Sequence, residues 1–148
     1  MSETVEHRCQ ALAHFFQHHV KFDLYMGLVV EEVRLGYCRT LLPFRDEFIG
    51  DPWRPALHGG VAGFLADVTA GIAAMSTAPL GSRCGTIDLR IDYLEPAGPH
   101  DIVAEGHVLK AGRKIVTAEA SLRQNGLLIA KATGAFRMKP QYADEKGL

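Results

Sequence analysis

The sequence predicts an α+β fold in which one antiparallel sheet curls around a single long buried helix. The stretch from Val61 to Ala74 has helical periodicity and is apolar almost all the way round, which is typical of a buried helix. After it come four runs with the alternating pattern of strands, separated by turn residues. Because the sheet and the helix must bury their apolar faces against each other, we expect the sheet to wrap around the helix.

Length and composition are those of an ordinary globular protein. The 148 residues are expected to form a single domain, residues 1–148, with an N-terminal helix over about residues 3–19 and a core over about residues 22–139. Apolar residues make up 47% of the chain and charged residues 22%, as in typical soluble domains. The net charge of −1 creates no field that would attract nucleic acid or an anionic membrane, so neither is expected as a partner.

The cysteines and the N-terminal residues predict the compartment. The three cysteines are widely spaced without a CxxC pair, which indicates reduced thiols rather than disulfides or a zinc site. The first residues are polar and lack the charged-then-apolar order of a signal peptide. The apolar central stretch is short, rich in glycine and carries Asp67, unlike a membrane span. The sequence therefore predicts a soluble, cytoplasmic protein without a metal site.

The elements before the central helix are predicted from periodicity and turn residues. Glu3 to His19 shows a helical apolar row, and Phe22 to Gly27 is expected to add a further turn. Leu28 to Pro43 alternates like a strand. Phe44 to Leu57 contains several prolines and glycines and is predicted to be a long loop that leads into the central helix.

Four strands are predicted after the central helix. They are expected over Cys84–Leu94, Ile102–Leu109, Ile115–Arg123 and Leu127–Met138. Strict alternation in the first of them gives two faces, one with Ile87, Leu89, Ile91 and Tyr93 and the other with Thr86, Asp88, Arg90 and Asp92. The Asn125-Gly126 pair is a strong hairpin signal between the last two strands.

The central helix carries one acid, Asp67, within a stripe of small residues. Burying a charge without a partner is strongly unfavourable, so a function is expected to retain this residue. A carboxylate in this position can act as a general base on water or attack directly as a nucleophile. The structural alternative is an ion pair between Asp67 and an Arg across the core.

The central helix opens with two adjacent glycines, Gly59 and Gly60. They are expected to present unblocked backbone N–H groups at the positive end of the helix, which is a natural site for an oxyanion. The alternative is that these glycines only permit a tight turn and close packing.

The chain resembles the hotdog-fold acyl-CoA thioesterases, and most of all their phenylacetate-pathway branch. The residues that carry the resemblance are Leu57-His58-Gly59-Gly60, Asp67 nine residues after His58, Gly85-Thr86-Ile87-Asp88, Tyr93-Leu94-Glu95-Pro96-Ala97 and Gly112-Arg113. The resemblance implies a homodimer, or a tetramer built as a dimer of dimers, that hydrolyses an acyl-CoA or aryl-CoA to the free acid and coenzyme A. It implies no metal and no separate cofactor, since coenzyme A is part of the substrate.

The same resemblance implies a role for each residue of the motif. Asp67 would act across a dimer interface on a thioester held at the Gly60 N–H of the other subunit. The spacing agrees, because nine helical residues place Asp67 ~13 Å from His58 along the axis. His58 is expected either to orient the thioester or to fix its loop through a hydrogen bond. Thr86 matches a position where the family often holds the attacking water, the alternative being an ordinary strand threonine.

Two further groups are expected to contact the substrate. Arg113 and Lys114, near Lys110, lie in a predicted hairpin where charged residues are commonly solvated; by resemblance they would bind the phosphates of coenzyme A. Six residues before His58, many relatives carry an Asn or a similar polar residue, but this chain has Pro52. The polar contact from that position is lost, and the neighbouring Asp51, Trp53 or Arg54 is expected to reshape the acyl pocket.

Three other functions are compatible with parts of this pattern. A hotdog dehydratase or hydratase needs a His and an acid that converge on one β-hydroxyacyl chain, which fits the spacing of His58 and Asp67 less well than hydrolysis. A non-catalytic acyl-CoA-binding module could dispense with Asp67. A purely structural dimer would leave a carboxylate in the small-residue stripe without explanation.

Overall fold

The computed structural model describes residues 3–139 of the chain. In this range the helices are α1 (Val5–His18), α2 (Lys21–Met26) and α3 (Gly59–Met75), and a short 3-10 helix covers Asp46–Phe48. The strands are β1 (Val29–Arg34), β2 (Tyr37–Leu42), β3 (Ile49–Asp51), β4 (Ala56–Leu57), β5 (Arg83–Tyr93), β6 (Ile102–Ala111), β7 (Ile115–Gln124) and β8 (Leu127–Lys139). Within residues 3–139, no helix is both long and apolar enough to cross a membrane.

One six-stranded antiparallel sheet packs against α3, which confirms the predicted fold class. The strand order is β1-β2-β6-β7-β8-β5, and β3 and β4 form a separate two-stranded sheet. The core lies between the sheet and α3, where Leu65 and Ala70 of the helix and Leu122 and Phe136 of the sheet are fully buried. The helix predicted to be apolar all round is therefore covered by the sheet over most of its length.

Gly106 on β6 lets the sheet approach the helix closely. A Cβ atom at this position would lie only 2.7 Å from the backbone oxygen of Thr69 on α3. The polar side chain of Thr69 is satisfied inside the core, because its hydroxyl shares a 2.7 Å hydrogen bond with the hydroxyl of Thr40 on β2. This contact fixes the depth at which α3 lies in the sheet.

Two predictions about the region before α3 are wrong. The single strand expected over Leu28–Pro43 is a hairpin, because Gly36 adopts a φ of 72° and turns the chain between β1 and β2. The N–H of Gly36 also donates to the Ser76 hydroxyl at 2.7 Å, which ties this turn to the end of α3. The long loop expected over Phe44–Leu57 instead contains the 3-10 helix and the paired strands β3 and β4.

Strand β5 does not alternate strictly, because it contains a β-bulge at Ile87. Thr86 pairs with Phe136 and Asp88 pairs with Ala135, so Ile87 is one residue more than β8 supplies. Such an extra residue shifts the alternation by one, so the residues on its two sides point to the opposite faces from those that strict alternation predicts. The prediction that placed Thr86 on the polar face with Asp88 is therefore wrong, and Thr86 faces α3.

Strand β5 is at one edge of the sheet and runs antiparallel to α3 beside it. The hydroxyl of Tyr93 bonds Gly59 at the start of the helix, and the hydroxyl of Thr86 bonds Asp67 near its middle. Between them, the side chain of Ile91 lies against Gly63, where a Cβ would meet it at 3.5 Å. The small residues of α3 thus follow the edge strand from one end to the other.

Candidate active site

Asp67 and Thr86 form the polar centre of the candidate active site. The Thr86 hydroxyl donates a hydrogen bond of 2.7 Å to Oδ1 of Asp67. Asp67 is half-buried on α3, and among residues 3–139 no Lys, Arg or His side chain lies within 4.0 Å of its carboxylate oxygens. The structural alternative, an ion pair with an Arg across the core, is absent from this part of the chain. A carboxylate with one oxygen bonded by a hydroxyl keeps its other oxygen for a water or a substrate.

Asp67 and Thr86 lie in the wall of a large apolar cleft. The cleft has a volume of about 1150 Å³ and lies between α1, α2, the exposed side of α3 and the start of β5. Its apolar wall includes Leu12, Phe16, Phe22, Phe64, Val68 and Phe136. Pockets that bind small molecules are typically mostly apolar with a few placed polar groups, and this cleft has that character.

The N-terminus of α3 is capped by the residue before it. Nδ1 of His58 accepts a 2.8 Å hydrogen bond from the N–H of Gly60. The prediction that this N–H is unblocked is therefore wrong for the free chain. A histidine caps the helix here because its backbone is held in place: the His58 N–H donates to the Phe48 carbonyl at 2.8 Å. A Cβ at Gly50 would approach the Cα of His58 to 2.7 Å, so this packing depends on a glycine.

Gly59 and His58 belong to a second, smaller depression. It has a volume of about 320 Å³ and also includes Tyr93, whose hydroxyl donates to the Gly59 carbonyl at 2.8 Å. Asp67 is not part of it. Within one chain, the structure thus brings Thr86 to Asp67 and His58 to Gly60, but Asp67 and Thr86 line the large cleft whereas His58 lines the smaller depression.

The remaining predicted site residues lie further out. Trp53 is 91% exposed in the loop between β3 and β4, where its backbone N–H donates to the Asp51 carboxylate at 2.9 Å. It lines neither depression. Arg113 and Lys114 are exposed in the turn between β6 and β7. This turn is at the same end of the sheet as Thr86, because Val116 and Thr86 both pair with Phe136.

Sequence reasoning missed one acid of the cleft, Asp23 on α2. Asp23 is only 4% exposed, and its Oδ2 has no hydrogen-bond partner among the described residues. Burial, together with the negative charge of Asp67, raises the pKa of Asp23 to about 6. The sequence gives only a weak indication that Asp23 is buried, since a single Asp among the apolar residues of a short helical turn is normally exposed.

Cys84 also lines the cleft, but it is not a suitable nucleophile. Burial, with the charge of Asp67, raises the pKa of its thiol to about 11. Because the thiolate is the reactive form, this thiol is unreactive at neutral pH. Asp67 remains the side chain of the cleft best placed for general-base or nucleophilic chemistry.

Comparison with known proteins identifies the family of the chain. A model of the thioesterase superfamily matches residues 55–129. The medium/long-chain acyl-CoA thioesterase YigI of Salmonella typhimurium is 29% identical over 147 residues, covering 90% of this chain and 95% of its own. A solved structure from Shewanella oneidensis, related to the thioesterase superfamily, is 25% identical with a TM-score of 0.80, covering 90% of this chain and 96% of its own. The PaaI protein of the phenylacetic acid degradation operon of Escherichia coli is 17% identical with a TM-score of 0.83, covering 93% and 98% of the two chains.

The structure is a hotdog fold, in which a curved sheet holds a buried helix beside an apolar cleft. The chain belongs to the thioesterase superfamily, and it is a thioester hydrolase. The matched segment runs from the loop before α3 to the start of β8, so it includes His58, Gly60, Asp67 and Thr86.

Proposed function

We propose that this protein hydrolyses acyl or aryl thioesters of coenzyme A at a site that two subunits share. The observation that carries the proposal is the Asp67–Thr86 pair in the wall of a large apolar cleft. The apolar wall suits an acyl group, and the carboxylate suits the hydrolytic step. The YigI relative, which is named for medium- and long-chain acyl-CoA, supports the same class of substrate.

The position of β5 supports a shared site. Its outer edge pairs with no other strand of the described residues, and long unpaired edges are ready to pair with another chain. If two copies pair antiparallel along β5 about a two-fold axis between Leu89 and Arg90, Thr86 of one copy lies opposite Tyr93 of the other. Neighbouring strands are ~4.8 Å apart. The Gly59–Gly60 end of one α3 then lies next to Asp67 of the other copy.

In such a dimer each residue has a distinct task. The Gly60 N–H of one subunit binds the thioester carbonyl and stabilises the oxyanion that forms on it. Asp67 of the other subunit activates a water as general base or attacks the carbonyl as nucleophile, and the Thr86 hydroxyl orients the Asp67 carboxylate. The carbonyl oxygen replaces His58 Nδ1 as the acceptor for Gly60, so substrate binding requires the His58 ring to turn away.

The coenzyme A part of the substrate would make its own contacts with the protein. Arg113 and Lys114 would bind the phosphates of coenzyme A, for which a guanidinium fork is well suited; their exposure at the end of the sheet that carries Thr86 supports this role. Trp53 lines neither depression of its own chain, so its proposed contact with the substrate would be made in the shared site of the dimer. No separate cofactor or metal enters the reaction. The unpaired state of Cys9, Cys38 and Cys84 supports a reducing, cytoplasmic location.

Release of coenzyme A tests the activity. The pure protein is incubated with acyl-CoA and aryl-CoA substrates of different size and a thiol reagent, and free thiol is the signal of hydrolysis. We expect steady release with the wild type and none with Asp67→Asn. Asp46→Asn, an exposed acid of the 3-10 helix and away from β5, is the matched control and keeps wild-type activity. Failure to release coenzyme A from any substrate would contradict the proposed function.

Subunit mixing tests the shared site. Asp67→Asn and Gly60→Val are each expected to be inactive, since a Cβ at Gly60 would lie 2.9 Å from His58 Nδ1 and obstruct the helix start. After the two variants are unfolded and refolded together, half of the dimers are mixed and each has one intact site. About a quarter of the wild-type activity should therefore return. No recovery, with mixed dimers shown by sedimentation and tags, would place the site within one chain.

A further inference from the structure

One carboxyl oxygen of the buried acid Asp23 is unsatisfied within the described part of the chain. Its side chain is almost completely buried at 4% exposure, yet Oδ2 makes no hydrogen bond within residues 3–139. Leaving a buried polar atom unpaired costs ~1–3 kcal/mol, and more when the group is charged. If Asp23 only packed against its neighbours, the protein would be more stable with Leu or Met at this position. Its retention therefore points to a partner that the free chain lacks.

Asp23 lies in the acyl part of the cleft. The wall that α1 and α2 contribute consists of apolar residues apart from Asp23 itself, and includes Leu12, Phe15, Phe16, Val20 and Phe22. The ring of Phe22 packs edge-on against Phe64 of α3 at 5.1 Å, so these two rings join α2 to α3 on this side of the cleft. A ligand whose thioester lies at Asp67 and whose acyl group extends towards α2 therefore passes Asp23 with its acyl group.

We propose that Asp23 determines substrate specificity by accepting a hydrogen bond from a donor group on the acyl chain, a hydroxyl or an amine, away from the thioester. This inference rests on the proposed function, because it assumes that the cleft holds the acyl group. A plain hydrocarbon chain would bury the Asp23 carboxyl without satisfying it, whereas a donor at the right distance pairs with it. Sites built for a hydrogen bond reject analogues that lack it far better than apolar pockets reject extra methylenes.

The two kinds of donor make different demands on Asp23. A hydroxyl pairs with an ionised carboxylate, with a protonated carboxyl or with an amide. A protonated amine needs the negative charge, and the aromatic wall formed by Phe15, Phe16 and Phe22 would help to hold it. Replacing Asp23 by Asn therefore separates the two donors, and replacing it by Leu removes both interactions at similar size.

The test compares matched acyl-CoA chains of several lengths, each in three forms: unsubstituted, with a terminal hydroxyl and with a terminal amine. At one chain length, we expect the wild type to prefer a substituted form by at least ~10-fold in kcat/KM. Asp23→Leu should lose this preference and gain activity on the unsubstituted chain. Asp23→Asn should keep a preference for the hydroxyl but lose one for the amine. Glu47→Gln, an exposed site with the same loss of charge, is the control.

The outcomes separate this inference from the function on which it rests. Release of coenzyme A from all three forms at equal rates, at every chain length, overturns the role of Asp23 and leaves the thioesterase activity standing. A preference that persists in Asp23→Leu also overturns it, because another residue then recognises the donor. Absence of release from every substrate overturns both. If Asp23→Leu fails to fold, the ratios measured for Asp23→Asn decide between the same outcomes.

Discussion

The N–H of Gly60 donates to Nδ1 of His58 at 2.8 Å, and this bond closes the N-terminus of α3 in the free chain. The helix start therefore has an imidazole nitrogen in the place where the proposed site puts the thioester carbonyl. Because the acceptor is a side chain and not the backbone, it can leave without unfolding the helix. The contact thus gives His58 two separable effects, one on stability and one on access to Gly60.

Replacing His58 by Ala should destabilise the protein modestly without abolishing hydrolysis. Loss of a helix cap costs ~1 kcal/mol. The Gly60 N–H remains available to the thioester, so kcat should fall by less than ~10-fold. His58→Asn, which restores a capping side chain, should recover the melting temperature. A loss of kcat beyond ~10³-fold in His58→Ala would instead make His58 a direct participant in the reaction.

Thr86 should matter through its hydroxyl. Thr86→Val keeps the shape of the side chain but removes the 2.7 Å hydrogen bond to Asp67, so kcat is expected to fall by ~10- to 100-fold. Thr86→Ser keeps the hydroxyl and should stay within ~3-fold of the wild type. The alternative, an ordinary strand threonine, predicts that Val is tolerated at least as well as Ser. Kinetics of the two variants on one acyl-CoA decide between these expectations.

The parts of the fold that depend on local periodicity could be predicted from the sequence. The apolar residues of α3 recur every three to four positions, and the sequence shows Asp67 as the one acid among them. The place of Thr86 could not be predicted, because the bulge at Ile87 depends on how β5 pairs with β8, far along the chain. Strict alternation therefore placed Thr86 on the wrong face.

Two features of the candidate site depend on packing that no local pattern records. Asp23 is buried because α1, α2 and α3 enclose it, whereas its neighbours in sequence show only a short apolar run. His58 caps α3 because Phe48 and Gly50 hold its backbone, although His is not among the common capping residues. The resemblance to a known family located the motif, but it could not show that the Gly60 N–H is occupied.

Asp67→Asn should remove activity and leave stability nearly unchanged. The substitution preserves size, and no ion pair of residues 3–139 is lost. Loss of an essential base or nucleophile should reduce kcat by at least ~10²-fold, or ~2.7 kcal/mol in the barrier. The melting temperature and kcat are measured on the same preparation. A variant that melts far lower, yet hydrolyses normally below its melting point, would contradict the catalytic role.

Arg113→Ala should weaken coenzyme A substrates through KM more than through kcat. A contact with phosphates remote from the thioester is similar in the ground state and the transition state, so it contributes mainly to binding. Arg113→Lys keeps the charge but not the fork and should show an intermediate KM. The same variants are assayed on a truncated thioester without the nucleotide. An equal loss on that substrate would show that Arg113 does not contact the phosphates.

The stability of the protein should depend on pH through Asp23. Burial and the charge of Asp67 raise its pKa from 3.8 to about 6, so the native state holds this proton more tightly than the unfolded chain. As the pH rises from about 4 to about 6, Asp23 ionises in the unfolded chain while it stays largely protonated in the native state. The free energy of unfolding therefore falls over this range, and above it Asp23 causes no further loss of stability. Asp23→Asn lacks this titration. Its stability relative to the wild type should therefore increase by ~2–3 kcal/mol between pH 4 and pH 7, measured by urea unfolding.

Titrations common to both proteins cancel in this difference, and Glu47→Gln controls for the loss of one charge. A difference that stays constant across this range would show that Asp23 finds a partner in the folded protein, one that keeps its carboxylate ionised.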